Sequence, residues 1–196
     1  RMSEALPDGE SQNLRLIAER IRARRSTKLF LRQKVSKRLV REAIEVARWA
    51  PNHHLTEPWH FYLLGPEKIA SCARLIGDLI RETKNDEDLA AFKEESALSM
   101  PGWLLVTCKR SDDELQERED YAAVCCAIQN LTLYLSEADV ACKWTTGLVT
   151  RDSRLFGLLG IDEDREFVVG LIWYGYPKTL PTQSRKDVDE ITTETS

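Results

Sequence analysis

At residues 24–30 the chain reads RRSTKLF, which places three cations and two hydroxyl groups within five consecutive positions. The run directly follows an amphipathic segment, in which apolar residues from Leu14 to Ile21 recur at helical spacing. Basic residues are favoured at a helix C-terminus, so one interpretation is a solvated helix end. The other is a phosphate site, because guanidinium groups, the Ser26 hydroxyl and backbone N–H groups all donate to phosphate oxygens. The run alone does not separate the two.

The composition is that of an ordinary globular protein. The chain has 196 residues, of which 42% are hydrophobic and 31% charged, enough for one domain with a real core. A formal net charge of −4 argues against a general nucleic-acid or membrane-surface binder. No window holds the roughly eighteen consecutive apolar residues of a membrane span. Residues 1–11 are polar and lack the apolar core of a signal peptide, so we expect a cytoplasmic protein.

The cysteines and histidines do not suggest a metal site. Five cysteines, an odd number, occur in apolar surroundings without paired spacing, which is typical of free buried thiols. The adjacent pair Cys125-Cys126 is not a C-x-x-C motif, and no Cys/His cluster has zinc spacing. Neighbouring side chains such as those of His53 and His54 point in different directions. We therefore predict no metal.

Hydrophobic periodicity predicts helices around a few short strands. The first helix ends at the Arg24-Arg25 pair, and the second is capped by Ser36 and closed by Pro51. From Pro177 onward the chain is polar and is expected to be extended. The further predicted helices are Pro66–Arg81, a short polar helix to about Ser99, Tyr121–Leu135 and Arg151–Leu159; the predicted strands are Trp59–Leu64, Trp103–Cys108, Val140–Thr146 and Phe167–Tyr174.

The segment Tyr121–Leu135 is apolar on nearly all sides. A helix of this kind must be covered on all faces, and a chain of this size hardly provides that cover alone. We infer a central helix that is partly buried by a partner subunit. The pattern as a whole predicts an α+β or three-layer αβα fold in which helix predominates. We divide the chain into a flexible segment (1–12), one domain (13–188) and a polar tail (189–196).

Several common enzyme classes lack their motifs here. The sequence contains neither G-x-G-x-x-G nor G-x-x-x-x-G-K-[ST], and its glycines are too dispersed to cradle a phosphate in a loop. It also lacks the G-x-S-x-G elbow, and no nucleophile suited to a hydrolase triad is found. These absences exclude the usual nucleotide-binding loops and the common hydrolases.

A second block, APNHHLTEPW at residues 50–59, follows the basic run after one helix. The two blocks together resemble the nitroreductase family of FMN-dependent oxidoreductases. Those proteins begin with a helix that ends in Arg-x-Ser-x-[Lys/Arg]-x-Phe, and continue into Ala-Pro-Ser-x-x-Asn-x-Gln-Pro-Trp and a strand. Later landmarks also fit: the apolar helix, WTTG at residues 144–147, GYP at residues 175–177 and Arg185 near the C-terminus. The resemblance runs from about Leu14 to Val188.

The resemblance implies a fold, an assembly and a chemistry. The implied fold is the three-layer αβα nitroreductase-like fold, with a small mixed or antiparallel sheet flanked by helices and a long central dimer helix. The implied assembly is a homodimer with FMN at the subunit interface. The implied reaction is ping-pong: NAD(P)H delivers hydride to flavin N5, and a nitroaromatic, quinone or similar electron-poor acceptor then reacts at the same place. The cofactor carries this chemistry, and the protein supplies position and charge.

The resemblance also implies roles for individual residues. Arg24 and Ser26 match positions that bind the FMN phosphate, Arg25 falls in the same loop, and Arg185 completes the anion site. Lys28 matches the cation near flavin N1 and C2=O, where negative charge develops during reduction, and it is the predicted catalytic residue. The segment from Trp144 lines the flavin. The predicted cofactor-binding set is Arg24, Arg25, Ser26, Lys28, His53, Trp144, Thr145, Thr146, Gly147 and Arg185.

Three positions depart from the common family pattern. Leu55 and Glu57 stand where the family usually has Asn and Gln. Here the chain is similar to a compact bacterial subgroup with Pro-[Asp/Asn]-His in this loop, whose histidine touches the cofactor from the other subunit. His53 is therefore the candidate, with His54 second. Trp49 stands where that subgroup has a cofactor-contacting arginine, and we interpret it as a packing residue.

Two alternatives to an NAD(P)H-dependent reductase stay open. One is a flavoenzyme of the same fold with other chemistry, such as dehalogenation, dehydrogenation or cleavage of the flavin, which an added lid segment would indicate. The chain has no obvious lid, and its only spare segment, roughly Arg81 to Met100, is a candidate outer wall of the substrate site. The other alternative is a non-catalytic dimeric module that binds FMN without turnover.

Overall fold

The structure, a computed structural model, describes residues 8–195, with side chains from residue 12 onward. Most of the predicted flexible segment 1–12 therefore lies outside the described residues, while residues 8–12 belong to the first helix. The helices in the described part are α1 (Asp8–Ala23), α2 (Lys37–Ala47), α3 (Pro66–Lys84), α4 (Glu87–Leu98), α5 (Glu114–Ser136) and α6 (Ser153–Leu159), and the strands are β1 (Trp59–Leu63), β2 (Gly102–Lys109), β3 (Ala141–Thr145) and β4 (Glu166–Gly175). Three short 3₁₀ turns cover His53–Leu55, Leu148–Arg151 and Val188–Glu190.

The four strands form one antiparallel sheet in the order β1-β2-β4-β3. The central strand β2 is buried along almost its whole length, which explains why its sequence is a continuous apolar run. Trp103 of β2 and Lys143 of β3 both pair with Trp173 of β4. Of the two arrangements expected, mixed or antiparallel, the sheet is antiparallel.

Helices cover both faces of the sheet. On one face α2 and α5 contribute Val40, Val124 and Leu131 to a core that also contains Leu104 of β2. On the other face α3, α4 and α6 contribute Leu75, Ala97 and Phe156 to a second core, built on Trp103 and Leu171. This arrangement confirms the predicted α+β, three-layer αβα fold.

Helix α5 is longer than the apolar run that predicted it. It begins at Glu114, seven residues before Tyr121, because the carboxylate of Asp113 accepts hydrogen bonds from the backbone N–H groups of Leu115 (2.9 Å) and Gln116 (3.3 Å). Acidic residues in the first turn favour the same start. Helix α2 and the sheet cover part of its surface, but Tyr121 remains 44% exposed. The helix therefore keeps an uncovered side in the single chain.

Other element limits differ from the sequence prediction in smaller ways. Helix α2 ends at Ala47, four residues before Pro51, so the proline does not terminate it. Its N-cap is Ser36, as predicted, although the Ser36 side chain makes no capping hydrogen bond. Helix α6 begins at Ser153, two residues later than expected, because residues 148–151 form a 3₁₀ turn and Asp152 caps the helix. The division into a domain (13–188) and a tail (189–196) stays a prediction.

Candidate functional site

The basic run forms a loop, residues 24–31, that lies along the edge of the sheet. Ser26 makes a parallel bridge with Cys142 of the edge strand β3. At the other end of the loop, the N–H of Leu31 donates to the carbonyl of Tyr176 at 2.8 Å. The loop is thus held between β3 and the chain that follows β4.

Thr27 fixes this loop from the inside. Its side chain is buried, and its hydroxyl donates to the carbonyl of Thr179 at 3.1 Å. The same oxygen accepts a hydrogen bond from the N–H of Leu29 at 3.1 Å. With Thr27 turned inward, the side chains of Ser26 and Lys28 on either side of it are exposed.

A cavity of about 470 Å³ lies beside the loop and is lined mainly by donors. Arg24 and Arg25 of the loop meet Arg185 of the C-terminal segment there, so the structure brings together three residues predicted for the phosphate site. Arginine side chains present several N–H donors in a planar fork that matches phosphate oxygens. The complete lining is Ile21, Arg22, Arg24, Arg25, Gln129, Gln183 and Arg185.

Two of these guanidinium groups are oriented by their neighbours. Arg25 donates to the carbonyls of Arg22 and of Arg24, the second at 2.9 Å. Arg185 donates to the carbonyl of Ser184 at 2.9 Å and to the amide oxygen of Gln183 at 3.1 Å. Each guanidinium keeps further N–H groups for a ligand. A bound anion would therefore meet donors that are already partly ordered.

A second cavity, of about 310 Å³, shares Arg24 and Arg25 and reaches inward to the Cys142 thiol. Burial raises the pKa of Cys142 to about 12, although the nearby charge of Arg24 opposes this rise. The thiol is therefore neutral near pH 7 and is unsuited to nucleophilic attack. It acts as a packing residue, as the sequence predicted for the cysteines.

The parallel bridge between Ser26 and Cys142 holds the loop at the edge strand β3, two residues before Trp144 on that strand. Trp144 is 38% exposed, and its indole N–H donates to the carbonyl of Val169 at 3.1 Å. A Cβ atom on Gly170 would lie 2.0 Å from that indole nitrogen, so the ring lies directly over the glycine. Lys28, the predicted cation, follows the bridged residue Ser26 in the loop, and Trp144 follows Cys142 in β3.

The other residues predicted to line the flavin, Thr145, Thr146 and Gly147, lie where the chain leaves the sheet after Trp144. Thr145 ends β3 and is half-buried, and Thr146 and Gly147 are exposed. The carbonyl of Gly147 accepts hydrogen bonds from the N–H of Thr150 (3.0 Å) and from its hydroxyl (2.8 Å), which begins the 3₁₀ turn. The wall is therefore a short exposed segment between a strand and a fixed turn.

His53 lies in a strained loop at the N-terminal end of α5. Its Nδ1 atom lies 2.7 Å from the carboxylate of Glu119, and its ring stacks on His54 with centroids 3.8 Å apart. His54, Leu55 and Glu57 all have positive φ, at 59°, 51° and 44°. Such backbone is unfavourable for residues other than glycine, so other interactions must hold the loop in place.

A buried carboxylate supplies that support. Asp120 is only 3% exposed, and it accepts hydrogen bonds from the Thr56 hydroxyl and from the Gln116 amide, the second at 3.0 Å. Asn52 closes the loop from within, because its side-chain oxygen accepts the N–H of Glu57 at 2.7 Å. The loop is therefore tied to α5.

Within one chain His53 does not join the arginine cavity. It is bonded to Glu119, whereas the cavity is lined by Gln129, ten residues further along the same helix. At 1.5 Å per residue this separation is about 15 Å along the helix axis. The structure thus brings Arg24, Arg25 and Arg185 together, places Ser26 and Lys28 beside β3, and leaves His53 apart.

Trp49 is not the packing residue that we expected. It is 74% exposed, and within the described chain its ring is covered only by the guanidinium of Arg48, 5.5 Å from the ring centroid. Its indole N–H lies 3.4 Å from the carboxylate of Glu45. None of the residues that the structure describes buries this side chain, and α2 ends two residues before it.

Besides Arg22, which adjoins the loop in sequence and lines the arginine cavity, sequence reasoning missed three residues around the loop. Gln129 and Gln183 line the arginine cavity, and Lys143 places its ammonium 4.6 Å from the centre of the Trp173 ring. One of them had a usable signal, because Gln129 is an exposed polar residue within the apolar run Tyr121–Leu135. The other two become neighbours of the site only through tertiary structure.

Among the side chains of residues 12–195, no group of three or more His, Cys, Asp or Glu is placed to hold a metal ion. None of the helices described there combines the length and the apolar character needed to cross a lipid bilayer.

Comparison with known proteins gives consistent matches. The model of the nitroreductase family matches residues 21–176. The chain is 30% identical over 170 residues to YfhC of Bacillus subtilis (strain 168), whose name is that of an NAD(P)H nitroreductase; the match covers 85% of this chain and 87% of that protein.

Solved structures with the same fold cover nearly the whole chain. A nitroreductase-like family protein from Bacillus cereus superposes with a TM-score of 0.80 at 27% identity and covers 100% of this chain and 99% of its own. A nitroreductase from Desulfovibrio desulfuricans in complex with FMN has a TM-score of 0.73 at 21% identity and covers 92% of this chain and 96% of its own. At this lower identity, the Desulfovibrio structure shows only that the two proteins share a fold.

Proposed function

The chain belongs to the nitroreductase family, and we propose that it is an FMN-dependent oxidoreductase that passes hydride from NAD(P)H to nitroaromatic, quinone or similar electron-poor acceptors. The observation that carries the proposal is the cavity in which Arg24, Arg25 and Arg185 meet. The names of relatives support the two cofactors: YfhC is named for NAD(P)H, and the Desulfovibrio structure contains FMN.

The residues present fit FMN. Its phosphate is a dianion near pH 7, and the arginine cavity offers guanidinium groups from two distant segments together with two amide side chains. In the proposed site Arg24, Arg25 and Arg185 hold the phosphate, and the exposed hydroxyl of Ser26 adds a donor. When bound, FMN supplies a ring that accepts hydride and passes two electrons on.

Lys28 and the wall segment complete the proposed site. Lys28 is exposed in the loop that the Ser26–Cys142 bridge holds at β3, and its ammonium would provide a fixed positive charge where the reduced cofactor carries negative charge. The segment from Trp144 to Gly147 would lie against one side of the flavin ring and shield that ring from water. No side chain in this arrangement has to take or give a proton, so the protein contributes by position and charge.

The proposal includes a homodimer. Helix α1 leaves Leu14, Ile17 and Ile21 each more than half exposed, and an apolar groove of about 280 Å³ runs between α1 and α5. Exposed apolar surface of this extent is typical of an interface. By the family resemblance, the His53 of a second copy would contact the cofactor, whereas the His53 of the same chain is bonded to Glu119 away from the arginine cavity. The dimer is therefore needed to assemble the predicted site.

The oligomeric state can be tested by a charge on this face. Ile17→Glu places a carboxylate in the proposed interface and should shift the molecular mass in light scattering from dimer to monomer. Leu98→Glu, at an exposed apolar residue at the end of α4, is the matched control and should remain dimeric. A wild-type protein that elutes as a monomer at micromolar concentration contradicts the proposal.

We propose the cytoplasm as the compartment. All five cysteines are free, and Cys126 is exposed. Exposed thiols persist in a reducing environment, whereas oxidising compartments favour disulfides. The proposed compartment is thus supported by the reduced state of the thiols.

The experiment that tests the function is a visible absorption spectrum of the purified protein, followed anaerobically. We expect flavin bands that bleach on addition of NADPH or NADH and return when a nitroaromatic or quinone is added. Bands that do not bleach would contradict the reductase proposal and favour a same-fold flavoenzyme or a non-catalytic module. Absence of flavin uptake would return residues 24–28 to the interpretation of a solvated helix end.

A pair of variants ties the result to the arginine cavity. Arg24→Ala should weaken FMN binding about tenfold, because a charge-assisted hydrogen bond to phosphate is lost. The control is Arg38→Ala, an exposed arginine on α2 that pairs with Glu42 at 3.5 Å. Equal dissociation constants for the two variants, measured by fluorescence titration of FMN, would remove Arg24 from the site.

A further inference from the structure

The imidazole of His53 is held at one of its ring nitrogens. Its Nδ1 atom lies 2.7 Å from a carboxylate oxygen of Glu119 on α5. A carboxylate accepts hydrogen bonds and donates none, so the ring proton of a neutral His53 belongs on Nδ1. The other ring nitrogen, Nε2, then carries a lone pair and accepts hydrogen bonds. The pair with Glu119 therefore decides what kind of group the free end of His53 can bind.

The free end of this imidazole is accessible. The His53 side chain is 60% exposed, and among residues 12–195 no hydrogen bond reaches its Nε2 atom. The ring of His54 covers one face of the imidazole, with an angle of 25° between the two planes. The His53 ring is thus fixed at Nδ1 and stacked on one face, while Nε2 is free for a ligand.

Two consecutive residues of α5 hold the loop that carries His53. Glu119 binds the imidazole, and the buried carboxylate of Asp120 accepts a hydrogen bond from the Thr56 hydroxyl of the same loop. Among residues 12–195, no Lys or Arg side chain lies within 4.0 Å of the Glu119 carboxylate, so no cation competes with His53 for it. The positive φ of His54 shows that the loop is strained, and strain of this kind occurs at functional sites. The contacts with α5 therefore preorganise one orientation of the His53 ring.

We propose that Glu119 is a positioning residue. It holds His53 with Nε2 as a hydrogen-bond acceptor, so that His53 of one copy recognises an N–H or O–H group of the FMN bound by the second copy. The inference rests on the proposed function, in which FMN lies at the subunit interface. FMN carries two kinds of such donor, the N3–H of its ring and the ribityl hydroxyls. Its ring carbonyls and phosphate oxygens are acceptors, so a neutral His53 in this tautomer does not bind them.

The first test locates the ring proton of His53 and needs no FMN. The chain has three histidines, so long-range proton–nitrogen correlation spectra of protein labelled in its histidine rings resolve each imidazole, and His53→Gln identifies the His53 signals. At about pH 8.5, where imidazoles are neutral, we expect the His53 proton on Nδ1, whereas unconstrained histidine favours Nε2. Glu119→Leu should move the proton to Nε2. A wild-type His53 that carries its proton on Nε2 would overturn the proposal.

A matched variant controls for the loss of a glutamate from α5. Glu114 is exposed in the first turn of the same helix, and Glu114→Leu removes a carboxylate that does not contact His53. This variant should leave the tautomer of His53 and the dissociation constant of FMN unchanged. Light scattering should find both leucine variants in the oligomeric state of the wild type, because neither residue lines the apolar groove between α1 and α5.

The second test measures FMN binding by fluorescence titration. Glu119→Leu should raise the dissociation constant about fivefold, because a hydrogen bond from FMN to His53 is lost. In a His53→Ala background the same substitution should change this constant less than about twofold, since Glu119 then has no ring to position. Equal affinity for FMN in Glu119→Leu and Glu114→Leu would overturn the proposal. An undiminished effect of Glu119→Leu in the His53→Ala background would also overturn it.

A methylated cofactor identifies the group that donates to His53. 3-Methyl-FMN lacks the ring N–H but keeps the ribityl hydroxyls. If the ring N–H is the donor, Glu119→Leu should weaken FMN about fivefold and leave the binding of 3-methyl-FMN unchanged. If a ribityl hydroxyl is the donor, both cofactors should be weakened alike. Either result, together with a proton on Nδ1, supports an accepting Nε2.

The two proposals fail in different ways. If the wild type takes up no FMN, the proposed function is wrong, and the recognition of FMN by His53 is overturned with it. If FMN is taken up and bleaches with NAD(P)H, but Glu119→Leu binds it as tightly as the wild type, the proposed function stands and the role of Glu119 alone is overturned.

Discussion

Replacing Thr56 by valine tests whether the strained loop is held by the buried carboxylate. The Thr56 hydroxyl donates to Asp120, which is 3% exposed and has Gln116 as its other side-chain donor. Valine keeps the shape of threonine but removes the donor. Asp120 is thereby left with one hydrogen bond fewer in a place that water does not reach.

The expected change in the free energy of unfolding follows from two opposing effects. A hydrogen bond to a charged group contributes about 1.5–3 kcal/mol, so its loss should lower the free energy of unfolding by about 2 kcal/mol. The backbone of His54, Leu55 and Glu57, each at positive φ, costs roughly 1 kcal/mol or more per residue. The free energy contributed by the Thr56–Asp120 hydrogen bond and the backbone strain of the loop are thus of similar size. We therefore expect the loop to leave its conformation once this hydrogen bond is lost.

Urea denaturation of wild type, Thr56→Val and Thr56→Ser is the assay. The serine variant keeps the hydroxyl and should stay close to wild type, while the valine variant should unfold at lower urea with an unchanged slope. Hydrogen exchange at the Glu57 amide, which Asn52 protects at 2.7 Å, should become faster in the valine variant. A Thr56→Val protein within about 0.5 kcal/mol of wild type, with Glu57 still protected, would refute the reasoning.

Two further predictions concern the core. Gly170→Ala would bring a Cβ atom 2.0 Å from the indole nitrogen of Trp144, so the Trp144 ring must move. We expect the free energy of unfolding to fall by about 1–3 kcal/mol and the tryptophan emission spectrum to change. An unchanged spectrum would show that Trp144 does not lie over the glycine. Burial raises the pKa of the Cys72 thiol from 9.0 to about 11 and that of the Cys108 and Cys142 thiols to about 12. The unfolded chain therefore loses these protons first as the pH rises above 9, and stability present below that pH should fall by about 1.4 kcal/mol per pH unit for each thiol. Denaturation curves above pH 9 measure the slope, Cys72→Ala should reduce it, and a stability independent of pH in that range would contradict the assigned burial.

The sequence predicted those features that depend on local pattern. The end of α1 before Arg24 and the buried strand β2 were both found as expected, because periodicity and caps act within a few residues. The start of α5 was missed because the polar turn from Glu114 carries no apolar period, and only the cap at Asp113 marks it. The grouping of Arg185 with Arg24 came from family resemblance.

Other features could not be predicted because they arise between distant segments. Leu55 and Glu57 carry no local preference for left-handed backbone, and their conformation depends on bonds that reach Asp120 on α5. Gln129 and Gln183 likewise meet in the arginine cavity only because the C-terminal segment returns to α5 beside the loop. In both cases the information lies in the tertiary contacts.

The hydrogen bond between Thr27 and Thr179 joins residues 152 positions apart and has a consequence for biosynthesis. The loop that carries Arg24 and Arg25 takes its shape only when the chain after β4 is present to pair with it. During translation the chain must therefore leave the ribosome as far as Arg185 before the arginine cavity exists, and contacts this distant in sequence slow folding. Uptake of a phosphate-bearing ligand in this cavity would thus report that the chain up to Arg185 has been made and that its C-terminal segment has docked on the loop.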